Sequence, residues 1–125
     1  MSQKTVLILE DEEDAAELFS EMMRVSGFRV IKSSKSQPAI AMMTEDKPDL
    51  VLLDIMMPEV SGLDILRQMR QDPNLSDIPV IVLTAKSMPA DIKNGMEAGA
   101  STYITKPVGF QELKEAVERT LGSTA

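Results

Sequence analysis

Five short apolar runs, Thr5–Leu9, Arg29–Ser33, Leu50–Leu53, Pro79–Leu83 and Thr102–Thr105, alternate with stretches of helical periodicity. That alternation constrains the fold more than any other feature. Each run has the length of a strand, and most are too apolar to leave one face in water. Between them, Ala15, Leu18, Met22 and Val25 fall on one helical face, with Gly27 as the stop. Pro38 and Pro89 suit the first turns of two further helices, where a missing N–H costs nothing. Gly62–Arg70 is another candidate, and Phe110, Leu113, Val117 and Leu121 give the last helix an apolar stripe. Five strands alternating with five helices predict an α/β fold, a parallel sheet covered on both faces.

The 125 residues contain no internal repeat, low-complexity stretch or interdomain linker, so residues 1–125 are expected to form a single domain. A hydrophobic content of 43% supplies a core. No apolar run approaches the roughly 18 residues of a membrane span, and no signal-peptide pattern opens the chain. Without cysteine there is no disulfide or thiolate metal site, and a cytoplasmic location is the simplest expectation. Acidic residues outnumber basic ones 20 to 13, a net charge of −7, and the basic residues are scattered. Direct nucleic-acid binding is therefore not expected. Histidine is absent, which removes the commonest general base and leaves carboxylates, hydroxyls and lysine to carry any chemistry. The ten methionines read as adaptable core filler.

Ligands of an open parallel sheet bind beyond the carboxyl ends of its strands. There the first strand runs into Glu10 and Asp11, the third into Asp54, the fourth into Thr84 and the fifth reaches Lys106. Singly, each has a plain structural explanation: a charged helix start, a turn cap, a strand-end hydroxyl, a solvated ammonium. Independent decoration is a poor account of all four on one edge. Crowded carboxylates need a cation, and an all-oxygen donor set suits magnesium, which favours a few carboxylates, retained waters and a phosphate. Lys106 can neutralise a phosphoryl oxygen, Thr84 can donate a hydroxyl, and Asp54 can act as a nucleophile forming an acyl phosphate.

With these motifs in view, the chain resembles the receiver domains of bacterial two-component response regulators over essentially its whole length. "VLILEDEED" is similar to the family's first strand and acidic pair, and "LVLLDIMMPEVSGLD" to its phosphoacceptor motif. "PVIVLTA" and "AGASTYITKP" are similar to the switch-hydroxyl and lysine segments. The resemblance implies Asp54 as phosphoacceptor and Glu10, Asp11, Asp54 and the backbone carbonyl of Met56 as ligands of Mg2+. It implies Thr84, Ala85, Lys106 and Tyr103 as the phosphoryl-binding and switch residues, with Met56 and Lys86 tuning hydrolysis and Pro58 and Gly62 shaping the turn after Asp54. The implied fold is a doubly wound five-stranded parallel sheet in the flavodoxin-like order 2-1-3-4-5.

The implied function is a signalling switch with self-catalysed phosphoryl transfer and hydrolysis, not a turnover enzyme. Its donor would be a sensor histidine kinase or a histidine phosphotransfer protein, since a chain without histidine cannot carry the phosphohistidine itself. The signal would pass to a downstream protein or an effector domain, and a phosphorylation-dependent dimer is compatible with it. On phosphorylation Thr84 would move toward the phosphoryl group and Tyr103 inward, remodelling the face made by the fourth helix, fifth strand and fifth helix. Two positions depart from the family pattern. Glu10 stands where aspartate is usual, and Val108 where an aromatic is common, with Phe110 available to fill that space. Three rivals are weaker. A haloacid-dehalogenase-like phosphatase usually has a second acid where Met56 stands. A flavodoxin-like carrier would meet "EDEED" at its flavin phosphate and has no tryptophan to clamp the ring. A degenerate receiver used only for binding would not need the Asp54, Thr84 and Lys106 set.

Overall fold

The computed structural model describes residues 3–36, 38–57 and 60–122. In chain order the elements are β1 (Thr5–Leu9), α1 (Glu13–Val25), β2 (Arg29–Ser33), α2 (Ala39–Asp46), β3 (Leu50–Leu53), α3 (Gly62–Gln71), β4 (Val80–Thr84), α4 (Pro89–Ala98), β5 (Thr102–Thr105) and α5 (Phe110–Gly122). All strand pairs are parallel, in the order β2-β1-β3-β4-β5. Period-two alternation sorts the strand residues between two cores. Leu7, Leu9, Val51, Leu53, Val80 and Val82 pack with Met43 of α2, Ile65, Leu66 and Met69 of α3 and Ala98 of α4. Val6, Ile8, Leu50, Leu52, Ile81 and Leu83 pack on the opposite face with Phe19 and Met23 of α1 and Leu113, Ala116 and Val117 of α5.

Local departures from expectation have physical causes. The fourth strand runs Val80–Thr84 rather than Pro79–Leu83. Pro79 has no N–H to give and serves only through its carbonyl, which accepts from Val51 N–H at 3.0 Å. At the other end, Lys106 N–H donates to the Thr84 carbonyl at 2.8 Å and prolongs the ladder. The strands are not uniformly buried: Arg29 and Lys32 of β2 are exposed because β2 is an edge strand. The buried face of α1 is Ala16, Phe19, Ser20 and Met23, whereas Leu18 and Val25 are 52% and 72% exposed. Ser20 disguises that face in the sequence. Its hydroxyl can be buried because it donates to the Ala16 carbonyl at 2.7 Å. Phe110 does not fill the space beside Val108. It stays at the surface and lines a shallow apolar groove with Leu18, Met22 and Val25, while Val108 itself packs on the α1/α5 core.

Candidate functional site

The site begins where β3 leaves the core. Asp54 N–H donates to the Leu9 carbonyl at 3.0 Å, so the residue is held level with β1 while its side chain passes beyond the sheet. The side chain is nearly buried, and both oxygens have partners. Oδ1 accepts from Met56 N–H at 2.8 Å, and Oδ2 accepts from Lys106 Nζ at 3.0 Å. The Met-Met pair then divides its labour. Met57 is buried in the core, and Met56 is half exposed. Ser61 caps α3 by accepting from Leu63 N–H at 3.2 Å, and Gly62 N–H donates back to the Ile55 carbonyl. A Cβ on Gly62 would lie 2.6 Å from the Asp54 carbonyl oxygen and the Ile55 Cα, so only glycine lets α3 start against this backbone. Gly62→Ala is expected to cost about 1–3 kcal/mol of stability in urea unfolding. Gly109→Ala, with nothing within 4 Å of the added carbon, is the control.

Lys106 reaches from the end of β5 past β4 to the first and third strands. Its Nζ donates to Glu10 Oε1 at 2.6 Å as well as to Asp54. Glu10 is 3% exposed, and its second oxygen accepts from Glu12 N–H at 3.2 Å. Burial pushes the Glu10 carboxyl above the ordinary glutamate range, the hydrogen bond from Lys106 opposes that, and the Asp54 charge adds to it. For Lys106 burial alone would lower the pKa, but hydrogen bonds to Glu10 and Asp54 outweigh it and hold the ammonium above its usual range. One cation thus serves two acids that repel each other.

Thr84 is fully buried, and its Oγ1 accepts a long hydrogen bond, 3.4 Å, from Lys86 N–H. Alternation along β4 puts its side chain on the face of Val80 and Val82, and Val82 is paired with Tyr103. The Tyr103 hydroxyl donates to the Lys86 carbonyl at 2.8 Å, while its ring lies over Gly95 of α4 and packs at the edge of the core. The ring is partly buried, held between α4 and the Lys86 carbonyl. Ala85 and the Lys86 side chain are exposed at the mouth of the site.

Asp54, Glu10 and Lys106 come together, and Thr84 follows on the neighbouring strand. Asp11 stands exposed at the rim, where it and Glu10, Glu13, Lys32 and Ser33 line an open cavity of about 430 Å³. Among the described residues no three acidic side chains stand close enough to enclose an ion unaided. The donor chemistry nevertheless fits a hard divalent cation: Glu10, Asp11 and Asp54 offer carboxylate oxygens, the Glu10 and Asp54 carboxylates share one ammonium, and magnesium keeps several waters of its own. Pro58 lies outside the described residues. Gly95 was not singled out in the sequence, although a glycine inside a helix costs about 1 kcal/mol against alanine and so signals a close approach.

Residues 6–118 match the family described as the response regulator receiver domain. The chain is 37% identical over 124 residues to the phosphate regulon transcriptional regulatory protein PhoB of Pseudomonas aeruginosa, covering 99% of this chain and 54% of PhoB. It therefore spans about half the length of that relative. It is 36% identical to the polar-differentiation response regulator DivK of Brucella anthropi, covering 95% of this chain and 97% of DivK. In structure it is similar to the receiver domain of a Pseudomonas aeruginosa sensor histidine kinase, which carries a magnesium ion in its active-site cleft. That likeness has a TM-score of 0.89 at 27% identity and covers 97% of this chain and 99% of the other. With the family match spanning most of the chain and the expected sheet order in place, this protein belongs to the response regulator receiver domain family.

Proposed function

We propose that this receiver domain is a phosphorylation-activated switch whose phosphoacceptor is Asp54. The observation that carries the reading is the Lys106 ammonium bonded to both Asp54 and Glu10 at the open carboxyl edge of the sheet. An Asp54 carboxylate oxygen would attack the phosphorus of a phosphohistidine on a sensor kinase or histidine phosphotransfer protein. The P–N bond breaks, and the imidazole leaves with the electron pair and takes up a proton. Lys106 neutralises charge on the phosphoryl oxygens, and the Met56 N–H keeps the carboxylate oriented. Glu10, Asp11, Asp54 and the Met56 carbonyl would hold Mg2+, which when bound neutralises charge on the transferring group. Water would later hydrolyse the acyl phosphate, with Met56 and Lys86 at the mouth setting its access.

The same geometry supports an output. A hydroxyl drawn toward a phosphoryl group on Asp54 withdraws Thr84 from Lys86 N–H. Lys86 also supplies the carbonyl that holds Tyr103, so loop and ring would shift together. Coupling of about 1–3 kcal/mol is enough for regulation. The output face would include Met88, Ile92 and Met96, an exposed apolar row on and beside α4. The donor protein would meet the apolar groove of α1 and Phe110 on the opposite side. We read residues 1–125 as one receiver unit working in the cytoplasm.

Acetyl phosphate with magnesium is expected to add one phosphoryl group to the wild type and none to Asp54→Asn, read by intact-protein mass spectrometry. Equal labelling of the two would refute the assignment. For the metal, Asp11→Ala is expected to weaken magnesium binding more than Glu12→Ala, because Glu12 enters the Glu10 network through its backbone. Titrations at matched ionic strength check this, and equal losses would remove Asp11 from the site.

A further inference from the structure

We propose that Phe19 is a positioning residue for Lys106, its ring face holding the ammonium in place between Glu10 and Asp54. An ammonium has three N–H groups. Two are directed to carboxylates, at 2.6 Å and 3.0 Å, and Nζ lies 5.5 Å from the Phe19 ring centroid. That distance is inside the roughly 6 Å range of cation–π attraction. The ring is 5% exposed and sits in the core shared by Ile8, Leu113, Ala116 and Val117. Packing of α1 against β1 and α5 therefore fixes where the ring is.

The chemistry suits the place. A benzene face attracts the charge but can neither accept the proton nor compete as a ligand for a metal. The ammonium stays fully available to oxygen on its other side. An aliphatic side chain here would present hydrocarbon to a partly desolvated cation, and the long lysine chain would gain freedom to turn toward solvent. The helix that follows the acidic pair thereby also sets the cation arriving from β5. For its effect on transfer the inference rests on the phosphoacceptor reading, whereas the contact itself does not.

The test replaces Phe19 site-specifically with 4-fluoro-, 3,5-difluoro- and pentafluorophenylalanine, which keep the ring and progressively weaken its negative face. The phosphorylation rate with acetyl phosphate and magnesium is expected to fall stepwise, by about three- to tenfold across the series. The Lys106 side-chain 1H and 15N resonances should shift in the same order. The urea midpoint should not follow that order, and in a Lys106→Met background the rate series should be flat. A rate independent of fluorination, or a slope that persists without Lys106, would overturn the positioning role. If the wild type takes up no phosphoryl group, the phosphoacceptor reading fails, and the Lys106 resonances decide the contact alone. Unchanged resonances across the series would then overturn it.

Discussion

Lys106→Met is expected to lose stability at pH 7 and to make the loss strongly pH-dependent. Methionine keeps the length and the packing of the side chain but removes the charge that Glu10 and Asp54 share. Both carboxylates are largely buried, and taking one partner from a buried ion pair leaves an uncompensated charge. The native protein can limit that cost by protonating Glu10, whose carboxyl burial already holds above its ordinary value of 4.5. Holding a proton at pH 7 on a group that would release it near 4.5 costs about 3 kcal/mol, which bounds the loss. A carboxyl raised in the folded state favours folding at low pH, and that contribution is lost as pH rises from the unfolded pKa through the folded one. The deficit should therefore be small near pH 5 and grow toward neutrality. Glu10→Gln in the same background should recover most of the stability and flatten the slope, and magnesium should partly substitute for the missing ammonium. Urea unfolding of the single and double variants from pH 5 to 8 checks this. A pH-independent loss would mean that Lys106 matters only through packing.

The sheet and the gathering of Glu10, Asp54, Thr84 and Lys106 at one of its edges were readable from local pattern, because strand ends are visible as the limits of apolar runs. Glu10, Asp54 and Lys106 lie 44 and 52 residues apart along the chain, yet the parallel register alone brings them to one edge. What the pattern could not carry was competition between two equally periodic choices. On α1, Ala15, Leu18 and Met22 repeat the three-and-four spacing of Ala16, Phe19 and Met23 on the face actually buried, and a backbonded serine made that true face look polar. Phe19 and Gly95 were missed for a different reason. What singles each out is a contact with a residue on another element, Lys106 or Tyr103, and such contacts leave no trace in spacing.

Gly95→Ala is expected to drive Tyr103 from its place with little change in overall stability. A Cβ on Gly95 would lie 2.7 Å from Cδ2 and Cε2 of the ring, nearer than real Cβ contacts come. Either the helix or the side chain must yield, and a side chain turning about χ1 is the softer of the two. Leaving costs the ring its hydrogen bond to the Lys86 carbonyl, about 1 kcal/mol, and some packing. Alanine returns about 1 kcal/mol of helix propensity to α4, so the terms nearly cancel in unfolding measurements. The readout is unusually clean, because the chain has one tyrosine and no tryptophan. Acrylamide quenching of tyrosine emission should increase severalfold. The phenol pKa, raised in the wild type by burial and by Asp91 and Asp54, should fall back toward 10 in a spectrophotometric titration. Phosphorylation at Asp54 should survive, since Gly95 makes no contact with the carboxylate network, but the NMR response of residues 88–121 to it should shrink. Thr84→Ala should shrink the same response from the other end, by removing the acceptor of Lys86 N–H. Unchanged quenching and titration in Gly95→Ala would show that α4 had moved instead, and would make the helix rather than the ring the soft element of this switch.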